Sequence, residues 1–303
     1  MDRPPPLLFD RALLRKRLVR AGAMGASTFL IEHVAEDLAD RLAAVLRRFE
    51  CAVDLGSPTD ALRRMLAASG KVGRIIYAGP LADRCGGDAA LAVVTDEEML
   101  PFRDASIDLV VSGLALQFVN DLPGTLLQVR RALKPDGLLL AAVAGGDTLI
   151  ELRHAFAAAE SEIEEGVSPR VIPFADLRQM GTLLQRAGFA LPVTDVERVT
   201  VRYASPLALM RDLRRMGAAN PLAERRRRPL RRATLSRMME RYAERFADPD
   251  HRVRATFEIV WLCGWAPHES QPKPLAPGSA QARLADALGV KEVSLSRKGR
   301  RDS

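Results

Sequence analysis

The sequence predicts an α/β fold: a mostly parallel sheet covered by helices on both faces, with an antiparallel edge hairpin that carries a helical insertion. Three observations predict it. Short apolar runs alternate with helix-length amphipathic segments through about residue 165. The short runs are continuously apolar rather than alternating, as in parallel strands buried on both faces. After Gly188 two longer strand-like segments bracket a stretch of helices.

The elements follow in order. Phe9 to Val19 reads as a short basic helix. Phe29 to Phe49 reads as a longer one, with Leu30, Val34, Leu38, Leu42 and Val45 three and four residues apart. Cys51 to Leu55 is too short for a helix and stops at Gly56, so it is the first strand. Leu62 to Ala68 is helical, and Val72 to Tyr77 is a second strand ended by Gly79-Pro80. Leu91 to Val94 and Ile107 to Ser112 are the third and fourth strands. Leu122 to Leu133 is a helix that stops before a turn at Lys134-Pro135-Asp136-Gly137, and Leu138 to Val143 is the fifth strand. Thr148 to Ile163 and Phe174 to Ala187 are helices. Val193 to Tyr203 and Val253 to Trp265 are the long strands, with helices at Pro206 to Met216 and Leu230 to Phe246 between them. The chain therefore divides into N-terminal helices (1–49), an α/β core (50–203), a basic helical insertion or cap (204–250), a final sheet strand (251–267) and an extended basic tail (268–303) containing Pro272, Pro274 and Pro277.

Composition removes several classes. With 303 residues, 48% apolar and 27% charged, the chain is neither wholly disordered nor fibrous. No window holds the roughly 18 uninterrupted apolar residues of a membrane span. The opening MDRPPPLLFD has no signal-peptide core, and Asp2 and Asp10 disagree with an acid-poor transit peptide. Cys51, Cys85 and Cys263 are dispersed and odd in number, and His33, His154, His251 and His268 form no ligand pair, so neither a disulfide framework nor a metal site is expected. A reducing, cytoplasmic setting is the expectation.

The net charge of +7 has one source. Between Arg211 and Arg254 stand 14 Arg, no Lys and 6 acids, a local excess of 14 − 6 = +8. Arg225, Arg226, Arg227, Arg228, Arg231 and Arg232 are the densest part and the candidates for holding an acidic partner, a phosphate or a nucleic acid. The same run also reads as a solvated helix face, since no interleaved aromatics offer a stacking platform.

Ligands of parallel sheets bind outside the carboxyl ends of the strands, where strand order reverses. Five loops stand there. Asp54-Leu55-Gly56-Ser57-Pro58-Thr59-Asp60 follows the first strand. Gly56 is what remains of a glycine-rich turn, because Pro58 lacks an N–H and Asp60 adds negative charge. Tyr77-Ala78-Gly79-Pro80 ends the second strand without the carboxylate a ribose needs, and Asp83 comes a helical turn later. Asp96 and Glu97 follow the third strand, where acids accept from an adenine amino group or simply face solvent. Ser112 and Leu114 end the fourth strand, and Gln117, Asn120 and Asp121 follow; the first two line a substrate pocket in this reading, and Asp121 can equally cap the next helix. Gly145-Gly146-Asp147-Thr148 follows the fifth strand, with Asp147 placed to touch substrate or to cap.

The string from Asp96 to Gly137 resembles a class I S-adenosylmethionine-dependent methyltransferase of the type 11 group. Its pieces are Leu100-Pro101-Phe102, Ile107-Asp108-Leu109-Val110, Leu114 to Asp121, and Arg130-Arg131-Ala132-Leu133-Lys134-Pro135-Asp136-Gly137. Phe9-Asp10-Arg11, Gly145 to Leu149 with Glu151-Leu152-Arg153, Ser168-Pro169-Arg170-Val171 and Phe257-Glu258-Ile259-Val260-Trp261 are similar to α-proteobacterial relatives of a mitochondrial respiratory complex I assembly factor. A malonyl-carrier-protein methyltransferase of biotin synthesis is a more distant likeness. The resemblance spans about residues 9–280 and makes the basic insertion part of the family architecture.

It implies a Rossmann-like sheet, with S-adenosylmethionine near Asp54, Gly56, Asp96, Glu97, Ser112 and Leu114. It also implies a protein substrate, such as a complex I subunit, that is methylated or hydroxylated on arginine. This sequence departs from the family at the first loop, where glycines are replaced by Pro58 and Asp60, and near Ala78 or Gly79, where the ribose carboxylate is missing. Gln117 and Phe118 stand where His and Trp are common. A lost charged hydrogen bond costs about 1.5–3 kcal/mol, so the departures predict cofactor binding that is weakened or lost. A non-catalytic assembly factor that holds its partner by the cleft or the arginine-rich cap is the second reading. A nucleic-acid-binding protein of the same fold is the third.

Overall fold

The computed structural model describes residues 7–81, 91–164 and 166–272. The expectations for Asp83, Cys85 and the tail from 273 onward lie outside the described residues. Residues up to His268 form one compact unit by their internal contacts.

Two helices open the chain, α1 (Arg11–Ala23) and α2 (Phe29–Ala43). Asp10 starts the first by accepting from the Leu13 amide at 2.9 Å. The second buries one face, Leu30, Ile31, Val34, Leu38 and Leu42, at the spacing the sequence predicts. It ends at Ala43 rather than running to Phe49. The Lys71 ammonium takes the carbonyls of Leu42, Ala43 and Val45 at 2.7, 2.8 and 2.6 Å, which terminates the helix. Phe49 already pairs with Val72, so the first strand gains two residues.

The core elements then follow: β1 (Phe49–Leu55), α3 (Ala61–Ala68), β2 (Val72–Gly79), β3 (Leu91–Val94), β4 (Ile107–Gly113), α4 (Leu122–Ala132), β5 (Leu133–Ala144), α5 (Ile150–Ile163) and α6 (Leu177–Arg186). The remainder is β6 (Ala190–Tyr203), α7 (Pro206–Arg215), α8 (Arg232–Phe246) and β7 (Val253–Trp265). The expected turn at Lys134 to Gly137 lies inside β5. Leu133 pairs with Ile107, the register then shifts, and pairing resumes at Leu138 with Leu109. Asp136, at φ 63°, occupies this irregular stretch, and its amide donates to the Ala266 carbonyl at 3.1 Å.

The seven strands form one sheet in the order β3-β2-β1-β4-β5-β7-β6. The first five strands run parallel, and β7 is antiparallel to both β5 and β6. The α/β expectation with an antiparallel edge hairpin is therefore met. Helices α2, α3, α5, α7 and α8 cover one face, meeting Leu109, Leu140 and Trp261 of the sheet. Helices α4 and α6 cover the other, meeting Val53, Val110 and Leu139. Strand order reverses between β1 and β4, which opens a crevice at their carboxyl ends. No helix among the described residues is long and apolar enough to cross a membrane.

Leu38 is wholly buried at the centre of the α2 face. Leu38→Ala is expected to cost about 2–5 kcal/mol of folding free energy in urea titrations. A loss well under 1 kcal/mol would show that α2 is not packed as described.

Candidate functional site

The crevice holds a cavity of about 420 Å³. Its inner wall comes from loops that follow the strands: Gly56, Pro58 and Thr59 after β1, Pro80 after β2, Glu97 after β3 and Leu114 after β4. The backbone at the reversal point is cross-braced. The Ser112 hydroxyl donates to the Leu55 carbonyl at 2.7 Å, and the Gly113 amide donates to the Ser57 hydroxyl at 3.0 Å. Ser112 is therefore a buried brace between β1 and β4.

Gly56 turns the chain at φ +71°, a left-handed conformation that favours glycine. A Cβ there would stand 2.5 Å from the Glu97 Oε1. The surviving glycine of the first loop is thus fixed by conformation and by the side chain lying against it. Asp54, at the end of β1, is wholly buried. Its Oδ2 accepts from Arg63 Nη1 at 2.8 Å, and Arg63 stacks over the Tyr77 ring, 4.7 Å from the centroid. Burial raises the Asp54 pKa to about 6, against the pull of Ser57 and Arg63. Where the second strand lacks a ribose carboxylate, the Tyr77 hydroxyl lies 2.5 Å from the place a Gly79 Cβ would occupy.

The two acids after β3 are gripped by the N-terminal helix. Arg11 binds Asp96 at 3.0 Å and also binds Glu97, and Arg15 binds the other oxygen of Asp96. Burial pushes the Glu97 carboxyl up in spite of Arg11. Asp96 is held low although burial opposes it, because the Glu98 amide, Arg11 and Arg15 stabilise its charge. Arg11 and Arg15 lie one helical turn apart on α1 and so reach the same acids. The Arg11 Nη1 also donates to the Phe118 carbonyl at 3.1 Å.

The three pocket candidates part company. Gln117 lines the cavity; its amide nitrogen donates to the Leu114 carbonyl at 2.8 Å, and its Oε1 is buried with no partner among the described residues. Asn120 instead holds the N-terminal segment, accepting from the Phe9 amide at 2.8 Å and donating to the Phe9 carbonyl at 3.3 Å. Asp147 turns away to Arg198 at 2.5 Å. It does not cap α5, which begins at Ile150 behind Leu149. Asp121 does cap α4, accepting from the Gly124 amide at 2.9 Å. The glycine pair before Asp147 serves packing: a Cβ on Gly145 would meet Glu258 Oε1 at 2.5 Å.

The basic run is not a free face. Arg225 and Arg226 line the cavity, where Arg225 meets Asp10 at 3.3 Å and Arg226 meets Glu164 at 3.0 Å. Arg231 stands 3.7 Å from Glu164, while Arg227, Arg228 and Arg232 are exposed. Farther along, Arg237 and Arg241 bind Glu162. Sequence reasoning missed the wholly buried Glu160, whose carboxylate gathers the Ser168 amide at 2.7 Å and Arg170 Nε at 2.8 Å. The Ser168-Pro169-Arg170 string was its only signal. Among the described residues no group of three His, Cys, Asp or Glu could hold a metal ion.

Residues 53–141 match the methyltransferase domain family. The mitochondrial arginine-hydroxylase NDUFAF5 of Danio rerio is 38% identical over 287 residues, 92% of this chain and 89% of that protein. The human protein of the same name is 38% identical, with 92% and 83% covered. A malonyl-[acyl-carrier protein] O-methyltransferase of a Methylovorus species is 33% identical over 297 residues, 92% of this chain and 98% of its own. Among solved structures, the YcgJ protein of Bacillus subtilis superposes with a TM-score of 0.53 at 14% identity, covering 78% of this chain and 99% of its own. That likeness is one of fold.

The Asp54 carboxyl gives a testable pH dependence. Its folded pKa is raised from 3.8 to about 6, so its favourable contribution is present below about pH 4 and is lost as pH rises through 6. The stability difference between wild type and Asp54→Asn, followed by urea unfolding, is expected to change by about 2–3 kcal/mol across that window, in the sense that wild type loses. A difference that stays flat from pH 4 to 7 would contradict the buried placement.

Proposed function

The chain belongs to the family of the arginine-hydroxylase NDUFAF5 proteins, within the S-adenosylmethionine methyltransferase superfamily, and from that premise we propose that it modifies a protein substrate during respiratory complex I assembly. The modified side chain in this reading is an arginine of a complex I subunit, and the compartment is the cytoplasm. The observation that carries it is the 38% identity sustained over 287 residues. It runs through the N-terminal helices, the core and the basic insertion rather than the cofactor loops alone.

The residues present fit an adenosylated ligand in part. Gly56 gives backbone access, Leu114 and Pro80 supply apolar walls, and the buried Gln117 Oε1 offers an acceptor without a partner among the described residues. When bound, the cofactor supplies an electrophilic methyl group on sulfonium. Asp54 shapes the loop from beneath through Arg63. Asp96 and Glu97 reach the ligand only by exchanging Arg11 for it. The Arg11 contact also demonstrates a chemistry the substrate reading needs, since two carboxylates at the cleft wall hold a guanidinium.

A second reading, a partner-holding protein without catalysis, is favoured by the same contact. Arg11 and Arg15 already satisfy the two acids, and Pro58 and Asp60 replace the glycines that would cradle the ligand. Arg226, Arg231, Arg237 and Arg241 of the insertion pair with Glu160, Glu162 and Glu164, which offsets part of the charge a nucleic-acid reading relies on.

Isothermal titration with S-adenosylhomocysteine separates the two. The enzyme reading expects saturable micromolar binding that weakens at least tenfold in Gly56→Val, whose side chain would displace Glu97. Absence of binding up to millimolar ligand would overturn it in favour of the second reading. Mass spectrometry of a complex I subunit incubated with the protein then distinguishes an added oxygen from an added methyl group on arginine.

A further inference from the structure

The cavity has a second half that the strand-end loops do not use. Away from Gly56 and Glu97 it continues between α1, α2, α5 and α7, where its wall is Leu14, Leu18, Leu30, Leu152, Phe156 and Leu213. No carboxylate lines this half: Glu97 is the one acid in the lining among the described residues, and Arg11 holds it. At its outer end Arg17, Arg214 and Ala219 line both this cavity and an adjoining basin that also includes Arg20 and Met24.

The charges at that outlet are unbalanced. Arg17 donates to the backbone carbonyl of Ala219 at 2.8 Å and to that of Asn220, so its hydrogen bonds go to neutral acceptors. Arg20 and Arg214 are exposed, and neither side chain has a partner among the described residues. Burial lowers the Arg17 pKa, and the nearby Arg225, Arg20 and Arg214 lower it further, with Asp10 alone opposing them. Three guanidinium groups line one opening, and no carboxylate is among its described lining residues. Guanidinium forks favour carboxylate and phosphate oxygens, and apolar walls favour hydrocarbon.

We propose that this chamber binds an anionic amphiphile, with an apolar chain seated among α1, α2, α5 and α7 and a carboxylate or phosphate head on Arg17, Arg20 and Arg214. An arginine-bearing substrate would meet only like charge at this outlet. The amphiphile is therefore a ligand distinct from the proposed protein substrate, and its binding does not depend on the cofactor reading.

The test titrates the full chain, by calorimetry below each critical micelle concentration, with laurate, dodecyl phosphate and dodecyltrimethylammonium. Saturable one-to-one binding of an anionic ligand, at least tenfold tighter than the cation, is expected. A preference for dodecyl phosphate over laurate assigns the head as phosphoryl, and the reverse assigns it as carboxylate. Arg20→Gln/Arg214→Gln changes exposed side chains that hold nothing in the fold, and it is expected to weaken binding about tenfold. Met210→Trp, which fills the chamber from α7, is expected to abolish binding while thermal melting remains cooperative. Equal binding of the cationic ligand, no saturable binding of either anion, or affinities unmoved in both variants would overturn the proposal.

Discussion

The cleft depends on one ionic contact. Arg11 joins the first helix of the chain to Asp96 and Glu97, at the carboxyl end of the sheet, and Arg15 adds a second hold on Asp96. Glu97 is nearly buried, so removing Arg11 would leave a buried carboxylate without its counter-charge. Breaking a buried pair from one side costs about 3–5 kcal/mol, far more than a surface pair is worth. That asymmetry fixes α1 over the crevice. Leu14, Arg17, Leu18 and Ala21 line the cavity from the same helix.

The same contact gives the site its two possible behaviours. The acids that would receive a nucleoside are satisfied by the protein's own guanidinium, so a ligand has to offer at least as much as Arg11 does. The altered first loop offers less help than a glycine-rich one, because Pro58 has no N–H to give and Gly56 is backed by Glu97. Charge elsewhere follows a related pattern. Arg226, Arg231, Arg237 and Arg241 of the insertion fold back onto Glu160, Glu162 and Glu164 of α5 and its end. Arg227, Arg228 and Arg232 stay exposed, and Arg17, Arg20 and Arg214 gather at one basin.

The sheet was legible in the sequence because its strands are continuous apolar runs, and burial on both faces leaves that pattern directly. The antiparallel edge hairpin of β6 and β7 followed from the change of pattern after Gly188. What was not legible depends on residues distant in sequence. The end of α2 is set by Lys71, and the environment of Asp54 by Arg63 and Tyr77. Asn120 and Asp147 read as pocket residues from position alone, yet Phe9 and Arg198 claim them. The basic run read as free charge because its acids stand some 60 to 80 residues earlier, on α5. Arg11 was visible within Phe9-Asp10-Arg11, but its partners lie 85 and 86 residues away, beyond any local pattern.

Amide hydrogen exchange, read by mass spectrometry on wild type and Arg11→Ala, tests the central contact most directly. If Arg11 fastens α1 to the sheet, the substitution speeds exchange in residues 11–23 and in the 95–99 loop, and leaves β1, β4 and β5 protected. Unchanged exchange in α1 would show that the helix is held by its apolar face alone and that the cleft does not depend on this ion pair.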